Sequence, residues 1–418
     1  MTHRQHRDPK PIEPQRAIRV YDTSDYEELK EGYQHNIMML VGNGFDISAL
    51  QMLEADYRTT YTSFFYFLKA QNFNPQNVLF SLMNDLRIKH EGAQTNNEQA
   101  YSNWSDFEVA LQQLLDEQSS ISQAKLREDL QQLQQAFSRY LDIVVSPDIL
   151  NRLDRQAKQN GWADLTFSRF LEDLNEEQHR RIELARSFNH YHLLNVNVIN
   201  FNFTFLLDNY LFLDQHQFDP HRHLHADRNF SFWPNRRDFR YNGSEGNKRT
   251  VWSSYLMTEI HHPHGVQQVP RSLLFGVDAS DDVAKKGSEM KLEKPFWAQT
   301  PRRFQKMIAE SELFIIFGSS LGSTDRWWWR HILAAVGRGA QVIIYQYVAD
   351  LSSTSITEDT SRDTFVKENF DRALFDTESL DDQSLIAQLK ENIIVVLFDD
   401  PTSLSAFGWS TSKSQPTI

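Results

Sequence analysis

"ELFIIFGSS", Glu312 to Ser320, is a short run of apolar, bulky residues that ends abruptly in glycine and serine. Such a continuous hydrophobic run marks a parallel strand covered on both faces, since a strand with one wet face alternates apolar and polar residues. Downstream, "WWWRHILAAVGR" (327–338) reads as a helix, and "AQVIIYQYV" (340–348) and "NIIVVLFDD" (392–400) repeat the strand pattern. Strand, helix and strand in that order form a right-handed βαβ unit. Upstream, "LVGNGFDISA" (40–49) closes the apolar run Ile37–Val41 with two glycines, Gly42 and Gly44. "NVNVINFNF" (195–203) alternates polar and apolar residues, and "RSLLFGVD" (271–278) is short and apolar. These runs predict an α/β protein with a Rossmann-like open parallel sheet.

Between the first two strands the pattern is helical. "DYRTTYTSFFYFLKA", "SNWSDFEVALQQLLDEQ", "KLREDLQQLQQAFSRYLDIV" and "RFLEDLNEEQHRRIELARSF" place apolar residues at three- and four-residue steps, the last two as long amphipathic helices. Ser105 followed by Glu108 fits a capping box. The expected organisation is a tail with one short helix over 1–35 and a domain over 36–418, interrupted by a helical insertion at 50–194. The aromatics of 64–67 fit either the insertion's own core or an interface. The Trp327–Trp329 run reads mainly as packing, because consecutive helix positions point about 100° apart.

Of the residues, 40% are hydrophobic and 24% charged, ordinary values for a soluble globular chain. No run reaches the roughly 18 apolar residues of a membrane span, and the polar N-terminus has no signal-peptide core. With no cysteine, disulfides, thiol catalysis and cysteine-ligated zinc are excluded, and a cytoplasmic location fits. A net charge of −13 opposes nucleic-acid binding, which makes a nuclease the less favoured class. Arg236, Arg237 and Arg240 form at most a local basic patch, and they also suit a solvated loop. His221, His223 and His225 alternate as metal ligands on a strand face would, but no carboxylate cluster accompanies them, so no metal is expected.

In an open parallel sheet, ligands bind beyond the carboxyl ends of the strands, where strand order reverses. Four segments there carry polar residues: "GNGFD" (42–46), "NFNFT" (200–204), "HPHG" (262–265) ahead of "FGVD" (275–278), and "FGSSLGSTD" (317–325). Each has a structural alternative: a tight turn for the glycines, helix caps for Asn202, Ser319, Ser320 and Thr324, and a turn for His264. As one site they fit together. The amides of Gly42, Asn43 and Gly44 suit a pyrophosphate at a helix N-terminus. Ser319 and Ser320 are small enough for a ribose or phosphate to approach. Asn202 can hold water or a ribose hydroxyl, and a histidine can act as base near neutral pH. That set suits attack at an anomeric carbon bearing a good leaving group.

"GNGFD", "NWSDFE", "FNFT", "HPHG" and "FGSSLGSTD", in this order, resemble the bacterial abortive-infection family AbiH, which in turn is similar to the sirtuin-like NAD-consuming domains of anti-phage systems. The resemblance implies NAD+ as substrate, with no further cofactor, cleaved to nicotinamide and ADP-ribose. It implies dinucleotide contacts from Gly42, Asn43, Gly44, Phe45, Thr204, Gly318, Ser319, Ser320, Leu321 and Asp325. It makes Asn202, His264 and Asp46 the catalytic set, with His264 as the base. It also implies control by homo-oligomerisation or by a ring-shaped translocase ATPase. Thr204 stands where sirtuins carry an acidic residue, and without a zinc module protein deacetylation is disfavoured. An NAD or ADP-ribose sensor is the alternative to a hydrolase.

Overall fold

A computed structural model of the chain describes residues 34–92, 107–111, 122–184, 193–213, 230–232, 252–273, 275, 300–375 and 381–407. The expected N-terminal helix, the three alternating histidines and the arginine patch lie outside these residues. The described strands are β1 (Gln34–Val41), β2 (Leu193–Asn200), β3 (Phe230–Phe232), β4 (Trp252–His261), β5 (Leu313–Phe317), β6 (Gln341–Tyr347) and β7 (Ile393–Phe398). They form one sheet in the order β3-β4-β2-β1-β5-β6-β7. All neighbours pair in parallel except the short β3, which runs antiparallel to β4.

The chain therefore builds outward from β1 in one direction through β2 and β4, then returns to its other side with β5, β6 and β7. The reversal lies between β1 and β5. The register decides what meets there: Val41 pairs with Asn200 and with Phe317, and Ile199 pairs with His261. Four carboxyl ends are thus level, and the segments that follow them emerge at one rim.

Both faces of the sheet are covered, as the uninterrupted apolar runs require. Strand alternation sends Ile37, Met39 and Val41 into one core and Met38 and Leu40 into the other. The first core is closed by helices of the segment between β1 and β2: α1 (Asn43–Met52), α2 (Tyr61–Ala70), α3 (Val78–Gly92), α4 (Gln123–Val144), α5 (Pro147–Asn160) and α6 (Trp162–Arg169), after which comes the short polar α7 (Glu176–Arg181). Short α8 (Leu206–Tyr210) follows β2 and adds Tyr210 to that core. The second core is closed by α9 (Thr300–Glu310), α10 (Arg326–Gly337), α11 (Glu358–Asn369) and α12 (Asp382–Glu391). Phe64, Phe65, Trp328 and Trp329 are buried, so these aromatics mainly pack cores; Tyr66 is exposed. No helix among the described residues is long and apolar enough to cross a membrane.

Two expectations are corrected. "RFLEDLNEEQHRRIELARSF" is not one long helix: α6 ends at Arg169, and Asn175 opens α7 through a capping box with Gln178. At the break, half-buried Asp173 accepts hydrogen bonds from the amides of Ser405 and Ala406 and from the Tyr345 hydroxyl. Nor do the described residues of 271–278 form a strand. Pro270–Ser272 is a turn of 3-10 helix, and Leu273 and Phe275 are buried plugs against the insertion. The strand beside β2 is instead β4, whose Met257 is exposed and whose sequence lacks a hydrophobic run.

Candidate functional site

The rim where β1, β2, β4 and β5 end surrounds an open cavity of about 190 Å³. That exceeds the roughly 150 Å³ of a cavity known to take benzene, so the space suits an organic group rather than a single water. Asp46, Asn202, Thr204, His264, Ser319 and Asp325 all line it, as do Gly42, Asn43, Gly318 and Ser320. The four strand-end segments separated in sequence therefore share one pocket.

The glycines are explained by a close approach of backbone to backbone. A Cβ on Gly42 would sit 2.6 Å from the Gly318 oxygen, and one on Gly44 would sit 2.6 Å from the Gly318 Cα. The Gly42 amide donates to Phe317 O at 2.8 Å and the Gly44 amide to Gly318 O at 2.8 Å. These amides stitch the end of β1 to the end of β5, and the expected use of both as a pyrophosphate cradle does not fit this geometry. Gly44, Phe45 and Leu321 are not among the lining residues. Phe45 is buried against Tyr210 and Phe407, and Leu321 packs beside the second core.

Asp46 lies in the first turn of α1, 1% exposed. Thr204 Oγ1 donates to its Oδ2 at 2.7 Å, while Oδ1 is buried with no hydrogen-bond partner. Burial pushes its carboxyl up to about 7; the Thr204 hydrogen bond opposes this, Asp208 adds to it, and His262 holds it down.

Asn202 follows β2 and is 2% exposed, yet neither its Oδ1 nor its Nδ2 has a partner. It does not cap α8, whose first amide, Leu206 N–H, donates instead to Thr204 Oγ1 at 3.3 Å. Its own amide donates to Asn200 Oδ1 at 3.0 Å, and Asn200 Nδ2 donates to Asp208 at 3.2 Å. Asp208 in turn meets His262 Nε2 at 2.9 Å. This chain of contacts fixes the backbone that presents Asn202 without satisfying its side chain.

His264 comes from the turn after β4 and is 6% exposed, with Nε2 at 3.1 Å from Asp325 Oδ1. Its ring lies 5.0 Å from Phe201. Gly265 then turns the chain with φ of +85°, where a Cβ would meet Ser272 O at 1.9 Å, so the turn excludes a side chain.

The insertion also contributes lining residues that sequence reading did not assign to the site: Thr59, Glu108, Phe137 and Leu141. Thr59 donates to Asn43 Oδ1 at 2.7 Å, tethering the insertion to the β1 turn. Glu108 was read as half of a capping box; its place within "NWSDFE" was the available signal. Phe203, Phe275 and Thr324 complete the apolar and polar walls.

The geometry offers a buried amide with free donor and acceptor, a carboxyl that changes charge near neutral pH, and a histidine held by a carboxylate. Such a set can position a polar substrate and move a proton. A family model described as bacteriophage abortive infection AbiH matches residues 38–347, well over half of the 418-residue chain. Comparison with curated proteins and with solved structures gave no match.

Proposed function

We propose, from the fact that this chain belongs to the bacteriophage abortive infection family AbiH, that it acts in phage defence as an NAD+ glycohydrolase. The reaction takes NAD+ and water to nicotinamide, ADP-ribose and a proton. Asn202 carries the reading. A buried donor or acceptor left unmade costs about 1–3 kcal/mol, and here two such atoms of one side chain face a pocket. A ribose hydroxyl or a carboxamide, each able to donate and accept, relieves both.

The glycosidic C–N bond breaks with its electron pair leaving on the pyridinium nitrogen, so nicotinamide departs neutral and positive charge passes to the anomeric carbon. Water adds to that carbon and gives its proton to His264. Asp325 holds Nε2 of the ring, which leaves Nδ1 as the accepting nitrogen. Asp46, when ionised, stabilises the developing cation or orients a ribose hydroxyl.

In chain order the six parallel strands lie third, second, first, fourth, fifth and sixth, the order of doubly wound dinucleotide-binding sheets. That supports a Rossmann-like assignment. The sirtuin likeness draws support from Asp46, which sets a carboxylate against Thr204, where the sirtuin pattern has its acid. The pyrophosphate is assigned to the Ser319–Ser320 side, since the Gly42 and Gly44 amides are engaged. Control by self-assembly or by a ring-shaped translocase ATPase belongs to the same proposal.

The test is product analysis of purified full-length chain incubated with NAD+, alone and with extract of phage-infected cells. Nicotinamide and ADP-ribose in equal amounts support hydrolysis. Tight retention of intact dinucleotide without cleavage assigns the chain to sensing instead.

A further inference from the structure

The inserted helix α4 meets the site along two rows of side chains, each spaced one turn apart. Phe137 and Leu141 line the pocket. Beside them Gln134, Ser138 and Asp142 all bond to the loop that follows β4 and carries His264. A serine inside a helix often returns its hydroxyl to the carbonyl four residues before it. Buried Ser138 instead donates across to the backbone oxygen of Gln267, at 2.9 Å. Gln134 Nε2 donates to Leu273 O at 2.5 Å, and Gln267 Nε2 donates to Asp142 Oδ1 at 3.3 Å. Gln267 is buried too, and its amide donates to Phe203 O at 2.8 Å, in the loop that carries Asn202. The backbone of Gln267 therefore joins three elements: α4, the turn after β4 and the loop after β2.

His264 lies three residues before Gln267. Asp325 holds its ring at 3.1 Å, but a ring is only as fixed as the backbone that carries it. Within the turn, the Gly265 amide donates to His262 O at 3.2 Å and the Val266 amide to Ser272 Oγ at 2.9 Å, which shape it internally. Its ties to α4 and to the Asn202 loop come at Gln267. We propose that Ser138 is a positioning residue for the reaction, its hydroxyl holding the His264 turn in register with Asn202. The inference rests on the hydrolase reading above and adds to it a residue that touches no substrate. It also gives the insertion a part in turnover. Phe137, next to Ser138, packs edge-on to Phe203 at 5.2 Å and to Phe275 at 5.2 Å, so a displaced α4 would loosen the pocket wall and the His264 turn together.

The test compares wild type, Ser138→Ala and Ser138→Thr as full-length chains carrying isotope-labelled histidine, at a temperature where circular dichroism shows each one folded. Ser138→Ala is expected to lower kcat for NAD+ about tenfold or more, because a slightly misplaced acid–base group slows the chemical step. KM should stay within about twofold, since ground-state binding is left in place. The NMR signal of the His264 ring, assigned by its loss in His264→Gln, is expected to move or broaden in Ser138→Ala. Ser138→Thr keeps the hydroxyl and should restore both readings. An unmoved ring signal overturns the proposal whether or not NAD+ is cleaved. So does a moved signal with unchanged kcat, a loss confined to KM, or a loss that persists in folded Ser138→Thr. Should Ser138→Ala not fold, half-buried Gln134→Leu, one turn earlier on the same row, carries the test with the same signs at about threefold. Absence of cleavage by wild type removes the hydrolase reading alone, and the ring signal then decides whether Ser138 holds His264.

Discussion

The hydroxyl of Thr204 donates to one carboxylate oxygen of Asp46 at 2.7 Å across 158 positions of chain, and the other oxygen of Asp46 is buried with no partner. This pair joins the segment after β1 to the loop after β2, and its hydrogen bond partly offsets the burial that pushes the Asp46 carboxyl up.

Asp46 should make folding stability depend on pH. Its carboxyl lies at about 7 in the folded chain against an ordinary 3.8. Between those values the folded state keeps a proton that the unfolded chain has released. The stabilisation is therefore fully present below pH 3.8 and lost as pH rises through about 7. The total is on the order of 4 kcal/mol. Urea melts of wild type and Asp46→Asn between pH 4 and 8 check this. The difference between the two curves should slope only in that window, and a constant difference refutes the burial assignment.

Thr204→Val keeps the shape of residue 204 and removes the hydroxyl. With one fewer donor, ionised Asp46 is less favoured, and the alkaline-rising limb of kcat/KM should move up by about one pH unit. Thr204→Ser should restore the wild-type limb. An unmoved limb in Thr204→Val means that Asp46 does not need to be ionised for turnover.

Gly44→Ala should destabilise the fold rather than merely weaken ligand binding. The new Cβ meets the Gly318 backbone at 2.6 Å, where no side chain can yield. Such overpacking costs about 1–3 kcal/mol. A lowered urea midpoint with the same slope checks it, while wild-type stability with lost binding returns the glycine to a ligand role.

His264 and Asp325 should act as one unit. His264→Ala is expected to lower kcat by about 10²–10⁴. Asp325→Asn should cost less, and the double variant no more than His264→Ala, because Asp325 works through the ring it holds. Circular dichroism melts confirm that the variants fold. Multiplying losses in the double variant indicate separate roles.

The sheet was legible where burial on both faces forces an unbroken apolar run, as in β5, β6 and β7. It was not legible in β4, where exposed Met257 sits among polar neighbours near the sheet's edge, and buried Leu273 and Phe275 gave a nearby loop the composition of a strand. Asn202, His264 and Asp46 were visible as polar residues at strand ends. The reason for Gly42 and Gly44 was not, because the approach of Gly318 is a contact across the whole chain. Glu108 and Phe137 were hidden for a similar reason. Helical periodicity tells which side of a helix is buried, not which pocket it closes.

The most direct test of the account is the total NAD content of bacteria expressing the full chain after phage infection, with wild type compared to Asn202→Ala at matched protein levels. The account expects NAD to collapse with wild type and to hold near uninfected values with the variant. Equal NAD content in the two, whether both collapse or neither does, contradicts it.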